Sequence, residues 1–416
     1  MMKLFTPGRL GPIELRNRTI RSAAFEGMGR NNGPTEMLRD YHESVARGGV
    51  GMTTLAYAGV CRSALSFDTQ LWLRPEIVGE LRDITDRIHS HGAKASIQIG
   101  HCGNMTHRRT AGGTPVGAST GFNLYSPTWA RGLREDEIRE IARNFGDAVR
   151  IARDAGFDCV EIHAGHGYLI SQFLSPYTNR RRDGFGGSLE NRMRFMNLCL
   201  EEGMKAAESD MAVIVKTNMR DGFKGGLEIE DCLKVAKEIE RAGVHGIVLS
   251  GGFVSKAPMY VMRGEMPIYS MTYYMKQLWL KYGVRLAGGM MMEKLPYRDL
   301  YFLDDARVFR KELKLPLIYV GGVVGGETAS KVVDEEGFEF VQMGRALLND
   351  PELVNHMAAD AGYRCSCDHV NYCIARMYSR EMACHKHCSE LPKGIIKEIE
   401  RIKCDQKKRI KRDQKI

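Results

Sequence analysis

A chain of 416 residues that is 43% hydrophobic and 27% charged has the composition of an ordinary globular protein with a large core. No apolar run approaches the ~20 residues of a membrane span, and the first residues lack a secretory h-region. We therefore expect a cytoplasmic protein with no membrane partner. The eleven cysteines are predicted to be reduced thiols rather than a disulfide framework.

The net charge of +9 is concentrated at the C-terminal end. Residues 393–416 contain ten lysines and arginines against four acidic residues, which gives this tail +6 of the +9. The rest of the chain is nearly balanced, so the charge gives no support to nucleic-acid binding, and we expect no such partner.

Short apolar runs alternate with amphipathic helical patterns along the chain, which is typical of parallel β/α architecture. The predicted strands are 19–24, 50–56, 93–99, 158–162, 212–217, 246–249, 317–320 and 339–343. Eight strand-helix units predict a (β/α)8 TIM barrel. An open, doubly wound sheet is the alternative that the pattern leaves open.

Polar residues arrive together where the fourth predicted strand ends. His163, His166 and Tyr168 follow the apolar run 158–162. Catalytic side chains of TIM barrels are carried at the C-terminal ends of the strands. Two imidazoles can hold a carbonyl oxygen, and a phenol can protonate a carbon. For an isolated pair of histidines, anchoring of the loop would be the simpler interpretation.

The surrounding stretch, HAGHGYLISQFLSPYTNRRRDGFGGSLENR at 163–192, closely resembles the fourth-strand signature of the Old Yellow Enzyme family of FMN-dependent ene-reductases. The resemblance extends over roughly residues 3–355. It implies that His163 and His166 bind the activating oxygen of the substrate and that Tyr168 is the proton donor.

The same resemblance implies a non-covalent FMN. Gln98, inside the third strand, matches the glutamine that the family uses at the pyrimidine edge of the flavin. A buried glutamine needs a partner, which a ligand could supply. Lys216, in the fifth strand, stands where the family places a cation beside flavin N1 and O2, with a buried ion pair as the alternative. Ala24 and Ala56 are expected beside the flavin ring, with packing in the core of the first strand as the alternative for Ala24.

Glycines and an arginine follow the last two strands. Gly321 and Gly322, together with Gly325 and Gly326, can let backbone amides approach an anion. The ends of strands seven and eight form the usual phosphate site of TIM barrels. With Gly344 and Arg345, they resemble the family's motifs for the FMN phosphate.

The predicted FMN-binding barrel comprises residues 1–360. Two segments of the chain go beyond what a minimal barrel requires. Residues 251–315, after strand six, are longer than a β/α unit requires and rich in methionine and aromatic residues. We expect them to form an insertion over the catalytic face. Residues 361–416 are predicted to be a Cys-rich segment followed by a basic helix, which leaves oligomer docking open.

Five cysteines and three histidines lie within 365–388. Longer members of the family, similar to 2,4-dienoyl-CoA reductase, carry a [4Fe–4S] cluster on cysteines spaced C-x2-C-x3-C-x11-C and continue into further domains. This chain does not keep that spacing, so we expect no iron–sulfur cluster. A zinc site formed by His369, Cys373, Cys384 and Cys388 is the alternative.

The resemblance thus implies an enzyme that uses FMN and NAD(P)H to reduce the C=C bond of an enone or enoyl compound. One pocket would serve both substrates in turn. A flavin-dependent amine dehydrogenase or demethylase on the same barrel is the alternative activity. A non-catalytic flavoprotein is the alternative from another class.

Overall fold

The computed structural model describes residues 2–413, and eight parallel strands in it close into a barrel. The strands are β1 (Thr19–Arg21), β2 (Met52–Gly59), β3 (Lys94–Gly100), β4 (Cys159–His163), β5 (Ala212–Asn218), β6 (Gly246–Ser250), β7 (Leu317–Val320) and β8 (Phe340–Met343). Neighbours in sequence are neighbours in the barrel, and β8 pairs with β1. The structure confirms the predicted TIM barrel.

The largest differences from the predicted strands lie in β1 and β2. β1 ends at Arg21 because residues 22–24 turn away to line a cleft at the C-terminal end of the barrel. β2 runs on to Gly59, past a shift in register between Leu55 and Ala58. Such irregularities bend a strand and cannot be read from alternation alone.

Helices surround the barrel. The α-helices are α1 (Glu36–Arg47), α2 (Val78–Ser90), α3 (Arg108–Ala111), α4 (Glu135–Asp154), α5 (Leu169–Leu174), α6 (Leu189–Ala207), α7 (Ile229–Arg241), α8 (Pro258–Met262), α9 (Ile268–Tyr273), α10 (Leu278–Met291), α11 (Leu303–Glu312), α12 (Gly326–Ser330), α13 (Arg345–Asn349), α14 (Leu353–Ala359), α15 (Tyr372–Arg376) and α16 (Lys393–Asp413). Short 3-10 helices lie at Lys3–Phe5, Arg62–Ala64, Pro75–Ile77 and His385–His387, and a π-helix at Lys331–Glu335.

Two small sheets flank the barrel. A hairpin of Gly8–Leu10 and Ile13–Leu15 packs Leu10, Ile13 and Leu15 against inward-facing apolar residues such as Phe340. A second sheet combines Val116–Gly117, Gly121–Asn123 and Thr128–Gly132. The hairpin buries the apolar interior of the barrel, and the polar residues described below lie beyond it.

The long connection between β6 and β7 contains α8, α9 and α10 before the barrel helix α11. Helix α16 packs on α9 through Ile395, Ile399 and Ile402. The division at residue 360 stays a prediction. Lys415, which belongs to the predicted basic tail, lies outside the described residues. Between residues 2 and 413, no helix is long and apolar enough to cross a membrane.

Candidate active site

The structure brings together His163, His166 and Tyr168, the three residues predicted at the end of β4. The ring centroid of His163 lies 5.0 Å from that of His166 and 4.6 Å from that of Tyr168. A tight turn makes this possible, with φ of 59° at His166 and 82° at Gly167. A Cβ on Gly167 would stand 2.6 Å from the Phe253 ring, so only glycine fits there.

Both imidazoles are held neutral. Burial, with the nearby charge of Lys216, lowers the pKa of His166 to about 3. Burial, with electrostatic interactions with His166 and Lys216, also lowers the pKa of His163 well below its usual value. The backbone N–H of Gly165 donates to Nδ1 of His163 over 3.4 Å, which assigns the proton of the neutral ring to Nε2. His166 Nε2 lies 2.7 Å from Ser250 Oγ.

Tyr168 remains a phenol at ordinary pH. Burial raises its pKa above the usual value, and Tyr378 and Cys102 add to the shift. The Tyr168 ring meets that of Tyr57 edge-on at 5.0 Å, and the Tyr57 hydroxyl donates to the Ala64 carbonyl over 2.6 Å. Tyr57, which the sequence analysis missed, therefore fixes the ring of the predicted proton donor.

A buried carboxylate lies one layer further into the barrel than the His/His/Tyr set. Glu161 on β4 is buried and accepts from Lys216 Nζ at 2.7 Å, from Gln98 Nε2 at 2.5 Å and from Gln342 Nε2 at 2.8 Å. Lys216 also donates to Ser22 Oγ over 3.3 Å. The ion pair, which was the alternative for Lys216, is thus present, and the amide of Gln98 already has a protein partner. Flavin contacts of Gln98 and Lys216 stay predictions.

Sequence reasoning also missed Glu161 itself. The signal was available, because the glutamate interrupts the otherwise apolar run of β4. A carboxylate in such a place needs a buried cation, and Lys216 was the one candidate already identified in a strand. Gln342 and Ser22 gave no comparable signal.

A cleft of about 610 Å³ opens at the C-terminal ends of β1, β7 and β8. Its lining includes the predicted residues Ala24, Gly321, Gly322, Gly344 and Arg345. Gly321 and Gly322 have φ of 129° and 74°, a region that favours glycine. A Cβ on Gly344 would meet no atom within 4 Å, so the space beside this glycine is open to the cleft.

The cleft holds a fixed cation. Arg345 Nη1 donates to Asn371 Oδ1 over 2.6 Å, and the guanidinium lies 5.6 Å from the centroid of the Tyr297 ring. The His369 ring stacks on Tyr297 at 3.5 Å. His369 Nε2 is buried and has no hydrogen-bond partner among residues 2–413. An unpaired nitrogen beside a fixed guanidinium suits an anion.

Other predicted residues have different surroundings. Ala56 lies within β2, and its backbone N–H donates to the Glu26 carboxylate at 3.0 and 3.2 Å. Gly325 and Gly326 pack against the backbone of residues 361–364, where a Cβ would collide with carbonyl oxygens. These two glycines therefore allow close packing.

Cys367, Cys373 and Cys384 line a second pocket of about 290 Å³ next to Arg345. All eleven cysteines are free thiols. In the part of the chain that the structure covers, no three His, Cys, Asp or Glu side chains are placed to hold a metal ion. The zinc alternative thus finds no support among these residues, and the absence of an iron–sulfur cluster stays a prediction.

A TIM barrel with a cation-lined cleft at the ends of β7 and β8 and a His/His/Tyr set after β4 has the arrangement that the resemblance implies for a flavin-dependent oxidoreductase. The chain belongs to the NADH:flavin oxidoreductase / NADH oxidase family, whose model matches residues 3–272.

Three known proteins show the range of the similarity. The 4,4′-dithiodibutanoate disulfide reductase of Rhodococcus erythropolis is 36% identical over 377 residues, covering 90% of this chain and 93% of that protein. An NADH oxidase of Thermoanaerobacter brockii is 31% identical over 360 residues, which are 84% of this chain but 50% of the relative. The solved old yellow enzyme homologue from Zymomonas mobilis superposes with a TM-score of 0.71 at 23% identity, covering 94% of this chain and 99% of that structure.

These findings confirm the family resemblance, the use of FMN and the role of NAD(P)H as reductant. The protein is an NAD(P)H:flavin oxidoreductase.

Proposed function

We propose that this enzyme reduces the C=C bond of an α,β-unsaturated carbonyl compound. The observation that carries the proposal is the pairing of two neutral imidazoles with a protonated phenol at the end of β4. Neutral imidazoles can donate N–H groups to a carbonyl oxygen, and a phenol of raised pKa keeps its proton until a carbanionic carbon takes it.

The residues present fit FMN. The cleft lies at the C-terminal ends of β7 and β8, where TIM barrels usually bind phosphate. Arg345 and the backbone at Gly321 and Gly322 would hold the phosphate. Two buried atoms of cleft-lining residues, Nε2 of His369 and Oε1 of Gln342, find no partner within residues 2–413, and the cofactor would supply one.

When bound, FMN supplies the hydride that NAD(P)H provides and the substrate β-carbon receives. The protein activates that carbon by holding the carbonyl oxygen. His163 would donate from Nε2. His166 can donate from Nδ1 only if Ser250 gives its hydroxyl proton to Nε2, so Ser250 would set the tautomer.

Tyr168 completes the reduction. Hydride addition at the β-carbon makes the α-carbon basic, and the Tyr168 hydroxyl would deliver its proton there. Tyr57 packs edge-on against the same ring and would limit its rotation. Lys216 would contribute a positive charge near the cofactor, although Glu161 offsets much of that charge at 2.7 Å.

The test is the reoxidation of NAD(P)H-reduced enzyme under anaerobic conditions. A panel of cyclic enones, steroid enones and enoyl thioesters should include compounds that reoxidise the enzyme and yield the saturated carbonyl product. If every member leaves the enzyme reduced while an amine bleaches the oxidised form, the amine-dehydrogenase alternative replaces the proposal.

Disulfide reduction is a second candidate because the relative with 36% identity, matched over 93% of its length, is named a 4,4′-dithiodibutanoate disulfide reductase. A hydride and one proton convert a disulfide to two thiols, and Tyr168 could protonate the departing thiolate. Adding 4,4′-dithiodibutanoate to the same panel separates the two activities by the appearance of free thiol.

A further inference from the structure

Helix α10 presents an apolar face to solvent. Leu278, Trp279, Tyr282 and Leu286 are 63%, 70%, 61% and 83% exposed. Their spacing of three and four residues places them on one side of the helix. Leucine side chains are rarely left this open on a long stretch of one helix, so this face needs an explanation.

The cations of α10 are directed toward α9 instead. Lys281 Nζ donates to the Tyr273 carbonyl over 2.9 Å. Arg285 Nε donates to Thr272 Oγ1 over 2.9 Å, and its guanidinium lies 4.5 Å from the centroid of the Tyr269 ring. A surface helix ordinarily buries its apolar face and solvates its charges. Helix α10 packs Val284 inward, but it also turns these two cations inward and leaves the four exposed apolar side chains outside, which indicates that its outer face meets an apolar phase.

The charge around this face is positive. Residues 265–294 contain four cations and two glutamates. Helix α16 adds to the positive charge, and its Gly394 packs against the Tyr269 ring that Arg285 contacts from α10. Lys397 and Lys407 of α16 are exposed and form no salt bridge with a described carboxylate. A second copy of the chain would bring like charges together, whereas an anionic surface would complement them.

We propose that α10 docks this enzyme on the surface of an anionic lipid bilayer. Trp279, Tyr282 and the two leucines would enter the headgroup region, and the exposed lysines of α16 would lie near lipid phosphates. The sequence analysis expected no membrane partner because no run could span a bilayer, and surface docking needs no such run. The connection that carries α10 leaves the barrel at the C-terminal end of β6, the end that carries His163 on β4.

The experiment is sedimentation of the FMN-bound enzyme with lipid vesicles. We expect the enzyme to pellet with vesicles of phosphatidylcholine mixed with phosphatidylglycerol, and not with phosphatidylcholine alone. Binding should weaken at about 1 M salt, where the Debye length falls to about 3 Å. Trp279→Ser with Leu286→Ser should reduce the partition coefficient by at least about tenfold, because burying one such side chain contributes more than that factor.

The matched control is Trp129→Ser on the second small sheet. Trp129 is 66% exposed, close to the 70% of Trp279, so the control and the test variant each remove one tryptophan of similar exposure. This control should bind vesicles like the parent, and all variants should keep bound FMN and NAD(P)H oxidation.

The proposal is overturned if the enzyme pellets with neither kind of vesicle. It is also overturned if Trp129→Ser reduces vesicle binding as much as Trp279→Ser with Leu286→Ser does. A dimer in sedimentation velocity that Trp279→Ser with Leu286→Ser dissociates, without vesicle binding, would assign the face to a second copy instead.

Discussion

Glu161 and Lys216 form a buried ion pair across neighbouring barrel strands, with Oε1 2.7 Å from Nζ. Removing two such charges from water costs several kcal/mol per ion, so the pair persists only if its other hydrogen-bonding sites are satisfied. Gln98 and Gln342 donate to the carboxylate, and Ser22 accepts from the ammonium. The pair therefore links β3, β4, β5 and β8, together with Ser22 just after β1, through one polar layer.

Glu161→Gln should destabilise the FMN-bound enzyme by about 3–5 kcal/mol, the usual effect of leaving one member of a buried pair uncompensated. The midpoint of guanidinium unfolding measures this. Glu161→Gln combined with Lys216→Met should recover part of the loss, because no buried charge remains. Equal losses in the single and double variants would show that the ion pair itself contributes nothing.

The strands and the His/His/Tyr set could be predicted from the sequence because both are local. A parallel strand reads as an apolar run, and the three candidate residues lie within six positions of one another. The Glu161–Lys216 pair joins residues on separate strands, and its existence depends on the register in which β4 and β5 align. A single sequence carries no direct signal for that register.

The cleft illustrates the same limit. Arg345 is predicted from the resemblance of Gly344 and Arg345 to the family's phosphate motif, but Asn371, which fixes its guanidinium, lies in the Cys-rich segment. His369 was considered as a zinc ligand, and the structure instead stacks it on Tyr297. Contacts between distant loops depend on the path of each loop, and composition says little about that path.

Arg345→Gln should weaken FMN binding by roughly 10- to 150-fold, since a hydrogen bond to a charged group contributes about 1.5–3 kcal/mol. Titration of the apoprotein with FMN, followed by flavin fluorescence, measures the change. Asn371→Ala removes only the neutral partner that orients Arg345 and should cost less. If Asn371→Ala weakened FMN binding more than Arg345→Gln, the guanidinium would not be the phosphate ligand.

Anaerobically purified enzyme should contain no iron and no acid-labile sulfide. The cysteines within 365–388 do not keep the spacing of the cluster-binding relatives, and no trio of ligands in the described chain is placed for a metal ion. Metal analysis of the purified protein checks this. A content of about four irons per chain, as in a [4Fe–4S] cluster, would contradict it.

The stability of the fold should fall as the pH drops below about 6.5. The pKa of His166 is lowered to about 3 in the folded protein, so in this pH range the unfolded chain binds a proton that the folded chain does not bind. Between these two pH values the free energy of unfolding should decrease by up to about 1.4 kcal/mol per pH unit for this residue. Urea unfolding at several pH values gives the slope.

His166→Asn should make that slope shallower, and His163→Asn with His166→Asn shallower still, because burial also lowers the pKa of His163. Tyr168→Phe alters the same pocket without removing an imidazole and should keep the parent slope. An unchanged slope in the double variant would mean that other groups account for the acid sensitivity, such as His101 and His369, whose pKa values burial also lowers to about 3.

Tyr168→Phe tests the proposed mechanism. Reduction of the enzyme by NAD(P)H requires no proton from the phenol, so stopped-flow reduction rates should stay close to those of the parent. Reoxidation by an enone should slow by the ~10²–10⁴-fold typical of a lost general acid. Because burial raises the Tyr168 pKa above its usual value, the parent enzyme should show no loss of reoxidation rate as the pH approaches 10.

Nitroalkenes provide the internal comparison, since their nitronate product is stable without protonation at carbon. Tyr168→Phe should therefore reduce nitroalkenes far better than enones. His163→Ala should instead weaken phenol binding and slow both substrates, because it removes a donor to the oxygen that enones, nitroalkenes and phenols share. If Tyr168→Phe slowed reduction by NAD(P)H as much as reoxidation by an enone, Tyr168 would be a wall of the pocket rather than its acid. The proton would then have to come from solvent or from another of the hydroxyls near Tyr168, such as that of Tyr378.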